Sequence, residues 1–322
     1  MISVVIPLFN KSAHIAKAIQ SVIDQTYRNF EIIVVNDGST DDSLEVASEL
    51  KEKATFPFLI ENQKNAGVSA ARNRGVELAG YNHIAFLDSD DWWDERFLGK
   101  MAELIKTYPE AALYGCNYYY VKNGRNRVLD KGLPEDFMHG IIDYPELYSR
   151  KFVVPFNCSF VAVQKKAFTQ AGGFNENLRF AEDFDLWIRL SLSHKIAYLN
   201  EPLAYSNQDL QPGERALGGK KWHPDEHAIF NLSFLEKQEK ENPPLKKLLD
   251  GLRVRSMLRY RLNGWYPKEV NKVLKKVDFS NQPRYYQRVY NWPLPVIQFY
   301  FYLKKKGSII KQAIIKKGLS LN

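Results

Sequence analysis

Three carboxylates crowd one short stretch, Phe86-Leu87-Asp88-Ser89-Asp90-Asp91. Such groups cannot all stay ionised at close quarters without compensation. A divalent cation with oxygen ligands is the simplest compensation, and such an ion takes water and ligand phosphates for its remaining positions. Asp88 and Asp90 are therefore the candidate ligands, for Mn2+ or Mg2+. The plainer reading is an N-cap cluster in which Asp90 or Asp91 caps a helix starting near Asp94. A second acidic group, Glu182-Asp183-Phe184-Asp185, opens another helical stretch. Acids there suit the helix dipole. A carboxylate at a helix start that faces a cleft also suits a general base acting on a hydroxyl, an effect of about 10²–10⁴ in rate.

Two further segments carry candidate chemistry. Asn36-Asp37-Gly38-Ser39-Thr40 reads as a capped turn, and Asp37 there could equally accept a proton-bearing ring nitrogen of a nucleobase. In Asn65-Ala66-Gly67-Val68-Ser69-Ala70-Ala71-Arg72-Asn73-Arg74, Arg72 is placed to pair with phosphate oxygens, while Arg74 fits a solvated helix face. Trp92 and Trp187 are the aromatic candidates for a sugar contact, although a lone Trp such as Trp187 is more often core. The chain contains neither Gly-x-Gly-x-x-Gly nor Gly-x-x-x-x-Gly-Lys, so dinucleotide and P-loop modes lose their signature.

The elements that must position these groups alternate. Ile2–Ile6 is an apolar run ending at Pro7. Ser12 is placed to cap a helix with Ile15, Ala18, Ile19, Val22 and Ile23 at helical spacing. Residues 30–35, 57–60 and 84–87 read as further strands, and 68–79 as a helix stopped by Gly80. The Ser39–Asp42 stretch reads as another helix start. This βαβαβαβ pattern predicts an α/β fold with a mostly parallel, doubly wound sheet. In such sheets ligands bind outside the carboxyl ends of the strands. The polar segments after Pro7, Val35, Ile60 and Leu87 all fall there. Farther on, the pattern predicts a helix over 94–108, a strand over 111–121 and an irregular excursion over 122–150. A strand over 158–163, a helix over 182–192 and a final strand over 196–199 complete that part.

The ordered set of segments resembles the inverting family-2 glycosyltransferases, enzymes of the GT-A fold that use nucleotide-sugars. The matching residues are Val4-Val5-Ile6-Pro7-Leu8-Phe9-Asn10, Val34-Val35-Asn36-Asp37-Gly38-Ser39-Thr40-Asp41, Asn65-Ala66-Gly67, Ala71-Arg72-Asn73, Phe86 to Asp91, Gly172-Gly173-Phe174 and Glu182-Asp183. The resemblance covers about residues 1–205. It implies that Pro7, Phe9, Asn10, Asp37, Ser39, Asn65, Arg72, Asp88 and Ser89 bind the nucleotide, with Asp37 on a uracil-like edge. It implies an Asp-x-Asp metal motif at Asp88 and Asp90, with Asp90 the more direct ligand. Asp183 would be the base, with Glu182 beside it, and the reaction a single displacement with inversion. Many relatives carry Arg-x-His after the last strand of this domain, whereas Tyr205-Ser206-Asn207-Gln208-Asp209 has neither, so any ligand from that loop is in doubt. Two other classes remain open: an Asp-x-Asp phosphohydrolase, which leaves Asp37 and Asp183 unused, and a non-catalytic nucleotide-sugar-binding module.

Composition bounds the rest. The chain has 322 residues, 45% hydrophobic and 25% charged, which suits one or two globular domains and excludes a disordered chain. The net charge of +8 is split: residues 241–322 hold 18 Lys and Arg against 4 Asp and Glu, a balance of +14, and residues 1–240 balance at −6. The expected division is a catalytic domain over 1–215, with a nucleotide-binding half at 1–91 and an acceptor-binding half at 92–215. A basic helical extension over 216–322 follows, with helices over 223–239, 245–262 and 268–277. Within 290–322, Phe299-Tyr300-Phe301-Tyr302, Lys304-Lys305-Lys306 and alternating Ile and Lys suit a helix on an anionic bilayer. No recognised nucleic-acid module is present. A Gly-rich segment (Gly213, Gly218, Gly219), with Arg215, Lys220, Lys221 and His223 about it, could form a lid. Two cysteines, the lack of a charged, apolar leader and the lack of a spanning segment suggest a cytoplasmic enzyme, peripheral on the membrane's cytoplasmic face. The expected partners are a UDP-sugar and a glycan or lipid-linked acceptor.

Overall fold

The computed structural model describes residues 1–210 and 221–316. The chain divides into two compact units, Met1–Ser233 and Phe234–Asn322. This boundary falls after the expected 215/216. The reason is local: Phe180 and His227 form a bridge, and Ala228 N–H donates to the Phe180 carbonyl, so the segment around 227 belongs to the first unit.

The first unit opens with β1 (Ile2–Leu8), α1 (Ser12–Ile23), β2 (Phe30–Asn36), α2 (Ser43–Glu52), β3 (Phe58–Asn62), α3 (Val68–Leu78) and β4 (His83–Phe86). It continues with β5 (Trp92–Trp93), α4 (Phe97–Thr107), β6 (Ala111–Lys122), β7 (Arg125–Val128), β8 (His139–Ile142), α5 (Tyr144–Lys151), β9 (Val161–Gln164), α6 (Lys165–Gln170), α7 (Glu182–Ser191) and β10 (Lys195–Asn207). The sheet order is β3-β2-β1-β4-β9-β6-β10-β5, with β7 on β6 and β8 on β10. β3, β2, β1 and β4 are parallel; β9 runs against its neighbours β4 and β6, and β6 and β10 are again parallel. Six of the seven principal strands thus share one direction. This is the mostly parallel α/β frame the alternation predicts. β1 and β2 are buried almost throughout because helices cover both faces, which is why they read as continuous apolar runs.

Several local expectations are corrected. Pro7 does not end β1: it pairs in register with Val35. Its missing N–H costs nothing, because β4 pairs with β1 only as far as Val5↔Phe86 and Pro7 faces the side where β4 has stopped. Ser12 does not cap α1 by its side chain; its N–H is met instead by Asp41 Oδ2 at 3.1 Å. The helix expected from Asp94 begins at Phe97, and its N-cap, Arg96, makes no side-chain capping bond, so neither Asp90 nor Asp91 caps it. The 122–150 excursion is ordered into β7, β8 and α5. Residues 158–163 begin as a turn of 3₁₀ helix before β9, and the final strand runs to Asn207.

The second unit contains α8 (Glu236–Glu241), α9 (Pro243–Leu262), α10 (Pro267–Leu274), α11 (Arg284–Asn291) and α12 (Leu294–Lys316). The helix expected over 223–239 is broken into short 3₁₀ turns before α8. The Gly-rich segment with Gly213, Arg215, Gly218, Gly219 and Lys220 lies outside the described residues, as do the side chains of the Ile and Lys alternation from Ile309 onward. Among the described residues no helix is long and apolar enough to cross a membrane.

Candidate functional site

The carboxyl ends of β1, β2, β3 and β4 lie side by side, and the polar segments that follow them meet there. After β1, Phe9 stands 45% exposed, a large apolar ring left uncovered at the mouth of the sheet. Asn10 adopts a left-handed backbone (φ 50). Its Oδ1 accepts from Thr40 N–H at 2.8 Å, and its N–H donates to Ser39 Oγ at 3.2 Å, which joins the loop after β1 to the loop after β2. Pro7 lies buried beneath them.

Asp37 is buried, and both its oxygens are engaged. Oδ1 accepts from Gln63 Nε2 at 2.7 Å and from Ala66 N–H at 2.8 Å; Oδ2 accepts from Gly67 N–H at 2.8 Å. The carboxylate thereby shapes the exposed Asn65 loop. Gly67 must be glycine: its φ is +97, and a Cβ would overlap the Arg179 guanidinium. Arg179 Nη1 donates to the Ala66 carbonyl at 2.9 Å and ties the loop to the stretch before α7.

Arg72 reaches from α3 into the centre, 3% exposed. Its Nη2 donates to Asp88 Oδ1 at 2.6 Å and its Nη1 to Glu182 Oε1 at 2.9 Å. Its Nε is buried with no hydrogen-bond partner. One guanidinium fork therefore clamps the acidic segment after β4 to the start of α7, a geometry a lysine could not supply. Ser159 Oγ fixes the same segment by accepting from Asp88 N–H at 3.0 Å. Lys11, just after the β1 turn, donates to Asp90 Oδ2 at 2.7 Å. Asp91 is buried and accepts from Asn207 N–H at 2.9 Å; burial first, then Asp90 and Asp88, pushes its carboxyl well above the usual range. Ser89 is buried between them.

Ala181 precedes α7 in the left-handed conformation (φ 58), unusual for a residue with a Cβ. This strained turn presents Glu182 and Asp183 together. Their environments differ. Glu182 is held by Arg72. Asp183 accepts from Phe184 N–H at 2.7 Å and is pushed up to about 7, by desolvation first and then by the charge of Glu182, with the Phe184 bond and Arg72 opposing. It retains some exposure, so it sits in poorly hydrating surroundings yet stays reachable. Two adjacent carboxyls, one bound by a guanidinium and the other without such a bond, are suited to different tasks.

The two tryptophans part company. Trp92 is half-buried, stacked on Tyr205 with ring centroids 5.3 Å apart and Lys17 over its other face. It lines a cavity of about 440 Å³ with His14, Asp90, Asp91, Asn207 and Asp209. Trp187 is fully buried against Phe156 and Phe174 and cannot meet a sugar; its helix turns it into the core. That candidate is withdrawn.

Asp88 and Asp90 are hard oxygen donors of the kind Mg2+ and Mn2+ take, and two carboxylates suffice where phosphates and water complete the shell. The donor set fits on that basis. Among the described residues there is no cluster of three or more His, Cys, Asp or Glu that could hold an ion by itself. Each of the two carboxylates has a protein cation beside it, Arg72 and Lys11.

Lys11, Gln63, Ser159 and Arg179 were not picked out from the sequence. For Lys11 a signal existed, a cation directly after the Phe9-Asn10 turn. For Arg179 and Ser159 there was none, because they arrive from distant parts of the chain.

Sheet, strand-end loops and acidic clusters together define a GT-A fold. Residues 3–172 match glycosyl transferase family 2, and the chain belongs to that family. It is 33% identical over 208 residues to the glycosyltransferase GlyA of Streptococcus pneumoniae, an alignment that covers 63% of this chain and 30% of the relative. It is 27% identical over 242 residues to TuaG of Bacillus subtilis, described as a putative teichuronic acid biosynthesis glycosyltransferase, covering 74% of this chain and 89% of that one. The chain thus spans about a third of the length of the pneumococcal relative. Among solved structures it resembles S. aureus TarS 1–349 in complex with UDP-GlcNAc (TM-score 0.66, 17% identity, 87% of this chain and 82% of that one). It also resembles the mannosyltransferase PcManGT of Pyrobaculum calidifontis in complex with GDP-Man and Mn2+ (TM-score 0.54, 14% identity, 96% and 79% covered). At these identities the structural likenesses establish the fold. The family match removes the basis for a phosphohydrolase.

Proposed function

We propose that this chain transfers a sugar from a nucleoside-diphosphate donor, most simply a UDP-sugar, to a hydroxyl of a glycan or lipid-linked acceptor at a membrane face, with inversion. The observation that carries the reading is the division of labour around Arg72: Glu182 is tied up by the guanidinium, while Asp183 beside it is left with a pKa of about 7. A base is most effective when its pKa lies near the working pH. The fold shared with structures that hold UDP-GlcNAc and GDP-Man supports a nucleotide-sugar donor.

In this reading Phe9, Asn10, Asp37 and the Asn65 loop receive the base and ribose, with Ser39 holding the Asn10 turn. Asp183 takes the proton of the acceptor hydroxyl. The acceptor oxygen forms its bond to the anomeric carbon from the opposite face as the bond to the diphosphate oxygen breaks. The leaving electron pair stays on that oxygen, where Arg72 can offset its charge. Asp88 and Asp90 would hold the divalent ion, which when bound supplies further neutralisation of the diphosphate. Trp92, with one edge on the cavity beside Asp90, is a sugar-contacting candidate.

Calorimetric titration of UDP, GDP and ADP, with Mn2+ and with chelator, tests this. The expected outcome is UDP binding that requires metal and weakens in Asp90→Ala. Absence of metal-dependent binding by any of the three overturns the metal-dependent transferase reading.

A further inference from the structure

Helix α12 is apolar on two opposite sides. Ile297 is fully buried, and Gln298 Nε2 donates to the Leu262 carbonyl at the end of α9 at 2.8 Å, so this side packs within the second unit. Val296, Phe299 and Leu303, at spacings of three and four, share the other side and are 48%, 63% and 51% exposed. Trp292, just before the helix, and Tyr302 extend the stripe. Of the 14 large hydrophobic side chains exposed among the described residues, 7 fall between Tyr285 and Leu303. An exposed apolar row of this size is normally a contact surface, and a second apolar surface would bury it.

The charge selects the occupant. From Arg284 to Asn322 the chain holds 8 Lys and Arg and no Asp or Glu. Lys304 and Lys306 bracket the stripe, with Lys306 Nζ 4.9 Å over the Tyr302 ring. Exposed aromatic and aliphatic rows edged by lysine match the boundary between headgroups and acyl chains, where rings sit at headgroup depth and lysines reach back to phosphate. The helix cannot span, since no described helix is long and apolar enough. On a bilayer it would therefore lie flat.

We propose that the exposed face of α12 docks on an anionic lipid bilayer, in the plane of its interface. Cosedimentation of the full chain with phosphatidylglycerol–phosphatidylcholine vesicles, and with phosphatidylcholine alone, tests this. The expected result is pelleting with the anionic vesicles only, weakened by added salt and by Lys304→Gln with Lys306→Gln. It should fall about tenfold or more in Phe299→Glu with Leu303→Glu. Both pairs of positions are solvent-exposed, and thermal melts matching wild type show that the variants are folded. If the glutamate pair does unfold the chain, the glutamine pair decides alone. Three results overturn the proposal: no excess pelleting on anionic vesicles, pelleting indifferent to both variant pairs, or a dimer in sedimentation velocity that the glutamate pair dissolves. The last would give the face to a second copy of the chain.

Discussion

At the scale of single residues, the centre is a chain of mutual neutralisation. Lys11 faces Asp90, and Arg72 faces Asp88 and Glu182. Asp183, like Asp91, has no salt bridge to a cation among the described residues, and burial raises it to about 7. Between the ordinary carboxylate range and pH 7 the folded chain then holds a proton that the unfolded chain releases, so stability falls as pH rises through that window. Asp183→Asn removes both the base and this penalty. We expect transfer to fall by about 10²–10⁴, with nucleotide binding retained. We also expect the variant to gain melting temperature on wild type as pH rises from about 5 to 8. Transfer at the wild-type rate would remove Asp183 as base. For wild type, transfer should rise with pH through about 7 as this carboxyl ionises.

At the scale of elements, the site depends on loops that hold one another. The loop after β2 and the loop before α3 are tied through Asp37 to two backbone N–H groups, and Arg179 crosses to the same loop over Gly67. Gly67→Ala would force a Cβ into a φ of +97 and against the guanidinium. The expected cost is about 1–3 kcal/mol in urea unfolding, with weaker nucleotide binding by calorimetry. Wild-type behaviour in both would mean that the loop relaxes freely and does not position Asn65. The left-handed Ala181 plays the matching part before α7, where it turns the helix start so that Glu182 reaches Arg72.

At the scale of the whole molecule, each of the two units has its own interior. The second is centred on a buried ion network: Arg253 donates to Glu239 Oε1 and Oε2 at 2.5 and 2.8 Å and approaches Asp250 at 3.3 Å, while Lys246 reaches Asp250 at 2.7 Å. Removing one member of such a network leaves buried charge uncompensated. Arg253→Met should destabilise the second unit by on the order of 3 kcal/mol, seen as faster hydrogen exchange over 243–274, and leave nucleotide binding by the first unit unchanged. A large loss of nucleotide affinity would show that the site draws on the second unit.

Much of this was legible in the chain itself. Apolar runs and helical spacing carried the βαβ alternation, because period and burial are set by neighbours in sequence. The placing of Asp37, Asp88, Asp90 and Asp183 at strand or helix ends followed from the same alternation, since strand direction sends the following loops to one edge. Long-range pairing was not legible. The reversed β9, the pairing of β8 with β10 and the extension of β10 to Asn207 depend on partners far away in sequence. Trp187 was a sugar-contact candidate with core the commoner reading for such a residue, and its helix turns it into the core. Residue types and local periodicity settle which groups could do chemistry and at which edge of the sheet. Their state is set by packing: that Arg72 takes Glu182 and leaves Asp183 near pH 7 is a matter of burial and a few ångströms between residues about 110 positions apart in the chain.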